Sequence, residues 1–518
     1  MIDRRSLLLS GSASLAMAGV PPALAQGKTG LAAGFSATDI GQLDPHKAVG
    51  TPDRIAVSWI FNGLVRFKDG TIDPAQMQPD LAESWEFNED KTVWTFHLRR
   101  GVAFHAGFGE FTADDAVFSL QKAAKPATSS FSGDYRAFKS VTAPDPYTLR
   151  IELANAIPSL LGMVANYSGG FVISRRAYEQ RGDNFTRAPV GTGPFALDSI
   201  VPNQALNLIA HEKYFRGAPA IKTIAYRFLN ASASRDLAFQ SGELDVAQGV
   251  QDQRWVTRFK ALPNTIVDIF EPAELSQLYL NMDTAPLNDL RVRQAIACAV
   301  NRDELVRWRG ADISRPGLSV IPSGTLGYTA DNGLPKFDLE KSKQLLKEAG
   351  HPDGLTIPVI QTQYPDMLNL MQVVQAQLQR AGIKLDFQLV EHSTFHQMIR
   401  QDRSPLVMYS AARFPVADVY LTQFFASRSI VNTPTAVTNF SHSRDVDSLL
   451  DAARTEPHEG RQVALWQEAQ RKLIAEVAAV PLIETLEVSA RHKDVQLGYD
   501  LQGEMAGGVL LTERSSLA

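Results

Sequence analysis

Two helix–glycine–strand units follow one another between Asp338 and Leu389, and no other local pattern restricts the fold as much. The first unit indicates a helix from Asp338 to Ala349, a stop at Gly350, and a strand over Leu355–Ile360. In the second unit, apolar residues recur every four positions and then alternate after the next glycine. Those positions are Leu370, Val374 and Leu378, and then Ile383, Leu385, Phe387 and Leu389. Repeated helix–strand succession of this kind predicts an α/β lobe.

The rest of the chain also mixes both types of element. Period-two alternation predicts strands over Trp94–Leu98 and Tyr147–Leu153, and Thr112 is placed to cap a helix that follows it. A long helix is predicted over Arg461–Val477, where Trp466 belongs to an apolar stripe. About 490 residues remain after the first 25, too many for one hydrophobic core, so we expect two or three domains.

The first 25 residues have the pattern of an export signal. Arg4 and Arg5 precede a modest apolar run over Leu7–Val20, and Ala23-Leu24-Ala25 has the small-x-small form of a cleavage site. The Arg pair resembles a twin-arginine signal, with ordinary secretion as the alternative. The small residues are not followed by Cys, so we expect a soluble periplasmic protein rather than a lipoprotein.

Composition argues against several classes of partner. The 51 basic and 56 acidic residues give a net charge of −5, and without a basic block the chain has no electrostatic footprint for nucleic acid. The single cysteine, Cys298, cannot form an internal disulfide, and its apolar neighbours predict a packed core thiol.

Motifs for catalysis, metal binding and phosphate binding are incomplete. His392 and His396 have helical i, i+4 spacing, but nothing else in the sequence visibly completes a zinc ligand set. The Val190–Phe195 segment, VGTGPF, lacks the Lys and Ser/Thr of a phosphate-binding loop and is interpreted as a structural turn. The mature sequence has no GxSxG motif for a nucleophile, so neither catalytic nor metal-binding residues are predicted.

Several segments, in order along the chain, resemble one protein family. They are LDPHKA (Leu43–Ala48), IFNGLVRF (Ile60–Phe67), DLAESWEF (Asp80–Phe87), TVWTFHLRRGVAFHAG (Thr92–Gly107) and LYLNMDTAPLNDLRVRQAIACAVNRDELV (Leu278–Val306). Together they resemble the large solute-binding proteins of ABC importers, which include oligopeptide-, dipeptide- and nickel-binding proteins. The resemblance extends from about Leu43 to Leu486. It implies capture of a peptide or small organic solute in an interlobe cleft, delivery to an inner-membrane ABC permease, a monomer, and no cofactor.

The same resemblance implies a bilobal α/β periplasmic binding protein of the type II, large three-domain class. Lobe I would comprise 26–70, 193–281 and 492–518, with an inserted domain over 71–192. Lobe II would comprise 282–491, and crossovers near Asn281 and Arg491 would allow the lobes to close on ligand.

The segment Val407–Phe425 gives the sharpest hypothesis about the ligand. It falls where peptide-binding relatives carry a Trp-x-x-Asp-x-x-Asp-Pro-Asp segment, whose first carboxylate receives the α-ammonium group of the ligand. In this alignment Arg413 replaces that first Asp. A desolvated guanidinium repels an ammonium group and binds a carboxylate or phosphate through two hydrogen bonds.

We therefore hypothesise an anionic or amine-free ligand, anchored by Arg413, with Tyr409, Phe414 or Tyr420 as apolar walls. The alternative is that Arg413 pairs with Asp418 or another cleft acid and only closes the lobe. Further candidates for ligand contact are Asp44, Trp59 and Tyr135. Two other classes stay open at this point: a periplasmic hydrolase, and a chaperone-like protein that docks peptides.

Overall fold

The computed structural model describes residues 28–157, 159–433 and 438–518. The predicted export signal over residues 1–25 lies outside the described residues.

The strands are β1 (Gly30–Phe35), β2 (Val65–Phe67), β3 (Met77–Pro79), β4 (Ala82–Phe87), β5 (Val93–Leu98), β6 (Phe138–Asp145), β7 (Thr148–Leu153), β8 (Phe195–Val201), β9 (Ala205–Ala210), β10 (Thr223–Phe228), β11 (Val246–Gln248), β12 (Thr265–Leu280), β13 (Ser314–Pro316), β14 (Leu355–Thr362), β15 (Ile383–Val390), β16 (Leu406–Ala411), β17 (Ala479–His492), β18 (Val495–Gln496) and β19 (Ser516–Leu517).

The helices lie between these strands along the whole chain. They are α1 (Thr51–Ile60), α2 (Ala113–Ala123), α3 (Leu160–Met163), α4 (Arg175–Arg181), α5 (Ser232–Gln240), α6 (Gln253–Lys260), α7 (Leu290–Ala299), α8 (Arg302–Arg309), α9 (Leu339–Glu348), α10 (Pro365–Gln379), α11 (His392–Arg400), α12 (Ala417–Phe425), α13 (Asp447–Thr455) and α14 (Glu459–Ala475). Within the described ranges, none of them is long and apolar enough to cross a membrane.

The local predictions that rest on periodicity are confirmed. Asp338 caps α9 by accepting a hydrogen bond from the Lys341 N–H at 2.9 Å. The strands of the two helix–glycine–strand units, β14 and β15, pair in parallel, as the α/β interpretation requires. Thr112 caps α2 in a capping box with Asp115, and Cys298 is a buried core thiol.

One large sheet connects the two halves of the molecule. Its order is β16-β12-β17-β11-β1-β10-β9-β8, with β13 added on β17. β1 lies parallel to β10 and β11, and the other pairs in this sheet are antiparallel. A separate antiparallel sheet, β4-β5-β7-β6, is formed within 71–192, the predicted inserted domain. The long strands β12 and β17 are therefore the structural link between the two ends of the large sheet.

Candidate ligand-binding cleft

The strands β12 and β17 change partners halfway along their length. Their paired register is continuous from Thr265 to Phe270, breaks, and resumes at Glu274. On one side of the break β17 also pairs with β11, and on the other side β12 also pairs with β16. The break lies ahead of the crossovers near Asn281 and Arg491 that the family resemblance implies. A point where two long strands exchange neighbours can bend without disrupting either set of pairs.

Arg413 lies directly beyond β16, in the loop that leads into α12. Its backbone N–H donates to Tyr420 Oη at 2.7 Å, its Nε donates to Gln423 Oε1 at 2.8 Å, and its Nη1 donates to the Ala412 carbonyl at 2.9 Å. The guanidinium also lies over the Phe424 ring at 5.6 Å. These contacts fix the direction of the side chain through neutral groups, so its positive charge is not consumed by an ion pair within the described ranges.

The alternative in which Arg413 pairs with Asp418 is not what the structure shows. Asp418 is buried in the first turn of α12 and pairs with Arg454, with Nη2 and Oδ1 3.2 Å apart. Burial raises the pKa of the Asp418 carboxyl, and the Arg454 charge offsets part of that rise. Asp418 therefore stabilises the helix packing around Arg413 and leaves the guanidinium available.

Asp134, in the 71–192 segment, lies near Arg413. Burial raises the pKa of Asp134, and the charges of Arg413 and Arg136 lower it in part, which places Asp134 within electrostatic reach of Arg413. Phe414 packs against Phe67 with ring centroids 5.6 Å apart. Residues far from Arg413 in sequence, Asp134 and Phe67, thus contribute to its surroundings.

The three aromatic residues predicted as walls, Tyr409, Phe414 and Tyr420, have different surroundings in the structure. Tyr409 is 9% exposed and has its ring 5.9 Å from His396 and 5.5 Å from Phe440. Tyr420 is 2% exposed, and its hydroxyl holds the Arg413 backbone in place. Phe414 bridges to the opposite lobe. The structure therefore places Tyr409, Phe414 and Tyr420 beside Arg413, with Tyr420 positioned as a support for the loop.

Two glutamates stand at the break in the β12–β17 ladder. Glu274 lies on β12 and Glu487 on β17, both half-buried, and neither has a hydrogen-bond or ion-pair partner in the described part of the chain. Burial and the charge of Glu274 raise the pKa of Glu487 to about 7, and Arg54 on α1 opposes that rise. Burial and the charge of Asp366 raise the pKa of Glu274, which Arg413 lowers in part.

Sequence reasoning missed Glu274, Glu487 and Arg54. A signal was present for the glutamates, because each interrupts an apolar strand-like run, IFEPAELSQLYL for Glu274 and VPLIETLEVSA for Glu487. An acid in such a run is costly unless it is paired or functional. What sequence cannot show is that both runs lie side by side.

The other three candidates lie in packed interiors. Asp44 pairs with Lys122 at 2.7 Å, and both side chains are at most 3% exposed. Trp59 packs among core rings and donates from Nε1 to the Val509 carbonyl at 3.3 Å. Tyr135 donates its hydroxyl proton to the Met163 carbonyl at 2.7 Å. Their contact with ligand remains a prediction, and the structure gives each a stabilising role.

The remaining motifs have simple structural settings. His392 and His396 face one another with their Nε2 atoms 3.2 Å apart, and no group of three metal-ligating side chains exists among the residues described. In the VGTGPF turn, a Cβ on Gly193 would lie 2.5 Å from the Ile60 carbonyl carbon. The turn therefore packs directly on the end of α1, in agreement with its structural interpretation.

Comparison with known proteins agrees with this architecture. The model of the bacterial extracellular solute-binding proteins, family 5 Middle, matches residues 76–432. The chain belongs to this family. Its members are the substrate-binding components of ABC importers, and this chain has that function. The bilobal α/β fold inferred from sequence is confirmed.

Three relatives show the range of the family. MoaA of A. tumefaciens R10, solved in complex with mannopinic acid, is 49% identical, with a TM-score of 0.85 over 95% of this chain and 99% of that chain. Heme-binding protein A of Haemophilus influenzae is 28% identical over 81% of each chain. The dipeptide-binding protein of Escherichia coli is 26% identical over 85% of this chain and 86% of its own.

Proposed function

We propose that this solute-binding protein captures a small carboxylate-bearing solute in the interlobe cleft, with Arg413 as the anchor for the carboxylate. The observation that carries the proposal is the guanidinium of Arg413, which donates to Gln423 Oε1 and to the Ala412 carbonyl but forms no ion pair within the described ranges. A fixed, partly desolvated guanidinium binds a carboxylate through two charge-assisted hydrogen bonds. Tyr409 and Phe414 form the apolar walls beside it.

The similarity to MoaA supports an acid of the opine class as the ligand. That protein was solved with mannopinic acid, in which a secondary amine joins a polyol chain to glutamate, and it is 49% identical to this chain. Such a molecule offers carboxylates to Arg413 and hydroxyl groups to the tyrosines and backbone of a cleft. Free peptides, which bind through an α-ammonium group in other members, would meet the positive charge of Arg413.

The cellular location, the oligomeric state and the domain boundaries are also proposed. We propose export to the periplasm by the signal over residues 1–25, without a lipid anchor, and action as a monomer without catalytic activity. The domain boundaries follow the lobe division given above, with bending at Glu271–Glu274 and Thr485–Glu487, where the β12–β17 ladder breaks. Asp44, Trp59, Tyr135 and Asp418 are left out of the proposed contact set because each is engaged elsewhere.

Thermal-shift measurements on residues 27–518 test the proposal. The protein is heated with three pools: free di- to pentapeptides, amine-free carboxylates, and mannopinic acid. A ligand at a hundred times its Kd adds about 2.7 kcal/mol of stability. We expect a rise in Tm with carboxylates of the mannopinic type and none with free peptides.

The variant Arg413→Ala should lose that rise in Tm, whereas Arg461→Ala, on the exposed face of α14, should keep it. The expected loss of affinity is at least about tenfold, the effect of removing one charge-assisted hydrogen bond. Unchanged affinity in Arg413→Ala would overturn the role of Arg413. A rise with free peptides alone would make this chain a peptide-binding component.

A further inference from the structure

Four charged side chains near the break in the β12–β17 ladder form no ion pair within the described ranges. Glu274 and Glu487 have no hydrogen bond or ion pair within the described ranges, and neither Arg54 nor Arg413 forms an ion pair there. The Nε of Arg54 is buried without an acceptor. All four side chains are half-buried, so each charge is largely but not completely removed from water.

Neighbouring charges show that this lack of partners is not forced by the backbone. Arg315, next to the same strands, pairs with Glu271 at 2.6 Å and with Glu484 at 2.5 Å. Glu484 also accepts hydrogen bonds from the N–H and hydroxyl of Ser323. The acids Glu271 and Glu484, beside the break in the β12–β17 ladder, are thus paired, whereas Glu274 and Glu487 are not. Unpaired charges removed from water are costly, so an arrangement that keeps two of each sign indicates a ligand that completes it.

The two glutamates lie close enough to repel one another. The Glu487 carboxylate faces Glu274 from β12 and Arg54 from α1, and a Cβ on Gly507 would lie 3.6 Å from Glu487 Oε1 and 3.8 Å from Arg54 Nη2. Glu274 in turn faces Asp366 and the three cations Arg413, Arg54 and Arg309. Because Asp366 is already paired with Arg309 at 2.7 Å, the charges of this region that have no ion pair within the described ranges are the two glutamates, Arg54 and Arg413. A cation placed between two such carboxylates relieves their repulsion.

We propose that Glu274 and Glu487 determine specificity by holding a protonated amine of the ligand, while its carboxylate is bound by Arg413. This inference rests on the proposed function and narrows the substrate class to amine-bearing acids, such as conjugates of an amino acid with a sugar. The sequence had suggested a ligand that is anionic or free of amines. The present inference keeps the anionic group and adds a protonated amine. Arg54 remains available for a second carboxylate of the same ligand.

A proton is released when such a ligand binds. In the unliganded protein the pKa of Glu487 is raised to about 7, so the carboxyl is partly protonated at neutral pH. A bound ammonium group favours the charged form and lowers that pKa. Affinity should therefore fall as the pH is lowered through 7 and level off above pH 8.

Isothermal titration calorimetry with two matched probes tests the inference. The probes are mannopinic acid and its N-acetyl derivative, which keeps both carboxylates and the polyol but has no charge on nitrogen. We expect the wild-type protein to bind mannopinic acid about 10- to 100-fold more tightly than the N-acetyl derivative, the range for losing one hydrogen-bonded charge. In Glu274→Gln and Glu487→Gln this discrimination should shrink, and Glu487→Gln should also lose the pH dependence. Glu468→Gln, at an exposed position of α14, is the matched control and should keep both.

The outcomes separate this inference from the proposed function. Equal binding of the two probes by the wild-type protein would overturn the amine site and leave Arg413 as a carboxylate anchor. Binding of neither probe would overturn the proposed ligand class and the inference with it. Because the comparison of probes uses the wild-type protein, a variant that fails to fold cannot obscure the result.

Discussion

At the residue scale, charged side chains that are wholly or partly removed from water differ in whether the described residues supply an ion-pair partner. Asp44 and Lys122 form an ion pair that is almost fully removed from solvent, and Lys122 also donates to the Thr128 carbonyl at 3.1 Å. Such pairs are strongly destabilising to break, because the remaining charge has no solvent. Arg413, Glu274 and Glu487 form no ion pair within the described ranges, and their partner is proposed to arrive with the ligand.

The variant Lys122→Met is expected to lower the free energy of unfolding by about 3–5 kcal/mol, because it leaves the Asp44 carboxylate buried and unpaired. Urea denaturation followed by circular dichroism measures this change. The double variant Asp44→Asn/Lys122→Met removes both charges and should recover part of the loss. A single variant as stable as the wild type would show that the pair is not a structural element.

Sequence singled out Arg413, whose contact with ligand stays a prediction, and it did not single out Glu274 or Glu487, for physical reasons. Arg413 was found because its position in an aligned segment reverses the charge that peptide binders present there. Asp44 was a candidate for ligand contact, yet its partner Lys122 lies 78 residues away and cannot be read from local sequence. Glu274 and Glu487 were missed because their proximity depends on the pairing of two strands that are more than 200 residues apart.

At the scale of single elements, local signals were sufficient. The helices α2 and α9 begin where Thr112 and Asp338 supply side-chain caps, and β14 and β15 occupy the two predicted runs. Helix caps and hydrophobic periodicity involve residues only a few positions apart, so both can be identified directly in the sequence. The break in the β12–β17 ladder could not be predicted, because register depends on which strands become neighbours.

The turn that contains Gly193 offers a test at this scale. In Gly193→Ala the new Cβ would lie 2.5 Å and 2.6 Å from the carbonyl carbon and oxygen of Ile60, backbone atoms that cannot rotate away. We expect destabilisation of about 1–3 kcal/mol, the usual cost of overpacking. Thermal denaturation should show a lower Tm than for Gly133→Ala, where the nearest atom is 4.0 Å away. Equal Tm values would contradict the structural interpretation of the turn.

At the scale of the whole molecule, segments of the two proposed lobes contact one another beside Arg413. Phe414 from lobe II contacts Phe67, and a Cβ on Gly162 in α3 would lie 2.2 Å from the Phe414 ring. Phe67 and Met505 also belong to the same apolar cluster as Tyr409 and Phe414. The two proposed lobes therefore meet through apolar contacts beside Arg413, and we expect ligand affinity to depend on how often this contact forms.

The variant Gly162→Ala is expected to hinder closure without disturbing either lobe, because opening the cleft relieves the clash with Phe414. Small-angle X-ray scattering should show a larger radius of gyration in the presence of ligand than for the wild type. Affinity should fall in the same variant. Gly460→Ala, where a Cβ meets nothing within 4 Å, is the control. A compact liganded form of Gly162→Ala would exclude closure through this contact.

The arrangement of lobes was predictable only through the family resemblance. Composition and periodicity indicated α/β structure and more than one domain, whereas the discontinuous pairing of β1 with β10 and β11 brings together residues from about 30 to 250. Such long-range pairing leaves no signal in any single segment. The lobe arrangement could be predicted only from the collinear motifs, because they identify a family whose fold contains this pairing.

The most direct test of the account is a crystal structure of residues 27–518 bound to mannopinic acid. We expect one carboxylate of the ligand at hydrogen-bond distance, about 2.7–2.9 Å, from the guanidinium of Arg413, and its amine between Glu274 and Glu487. A ligand bound outside the interlobe cleft, or one whose carboxylates avoid Arg413, would contradict the account.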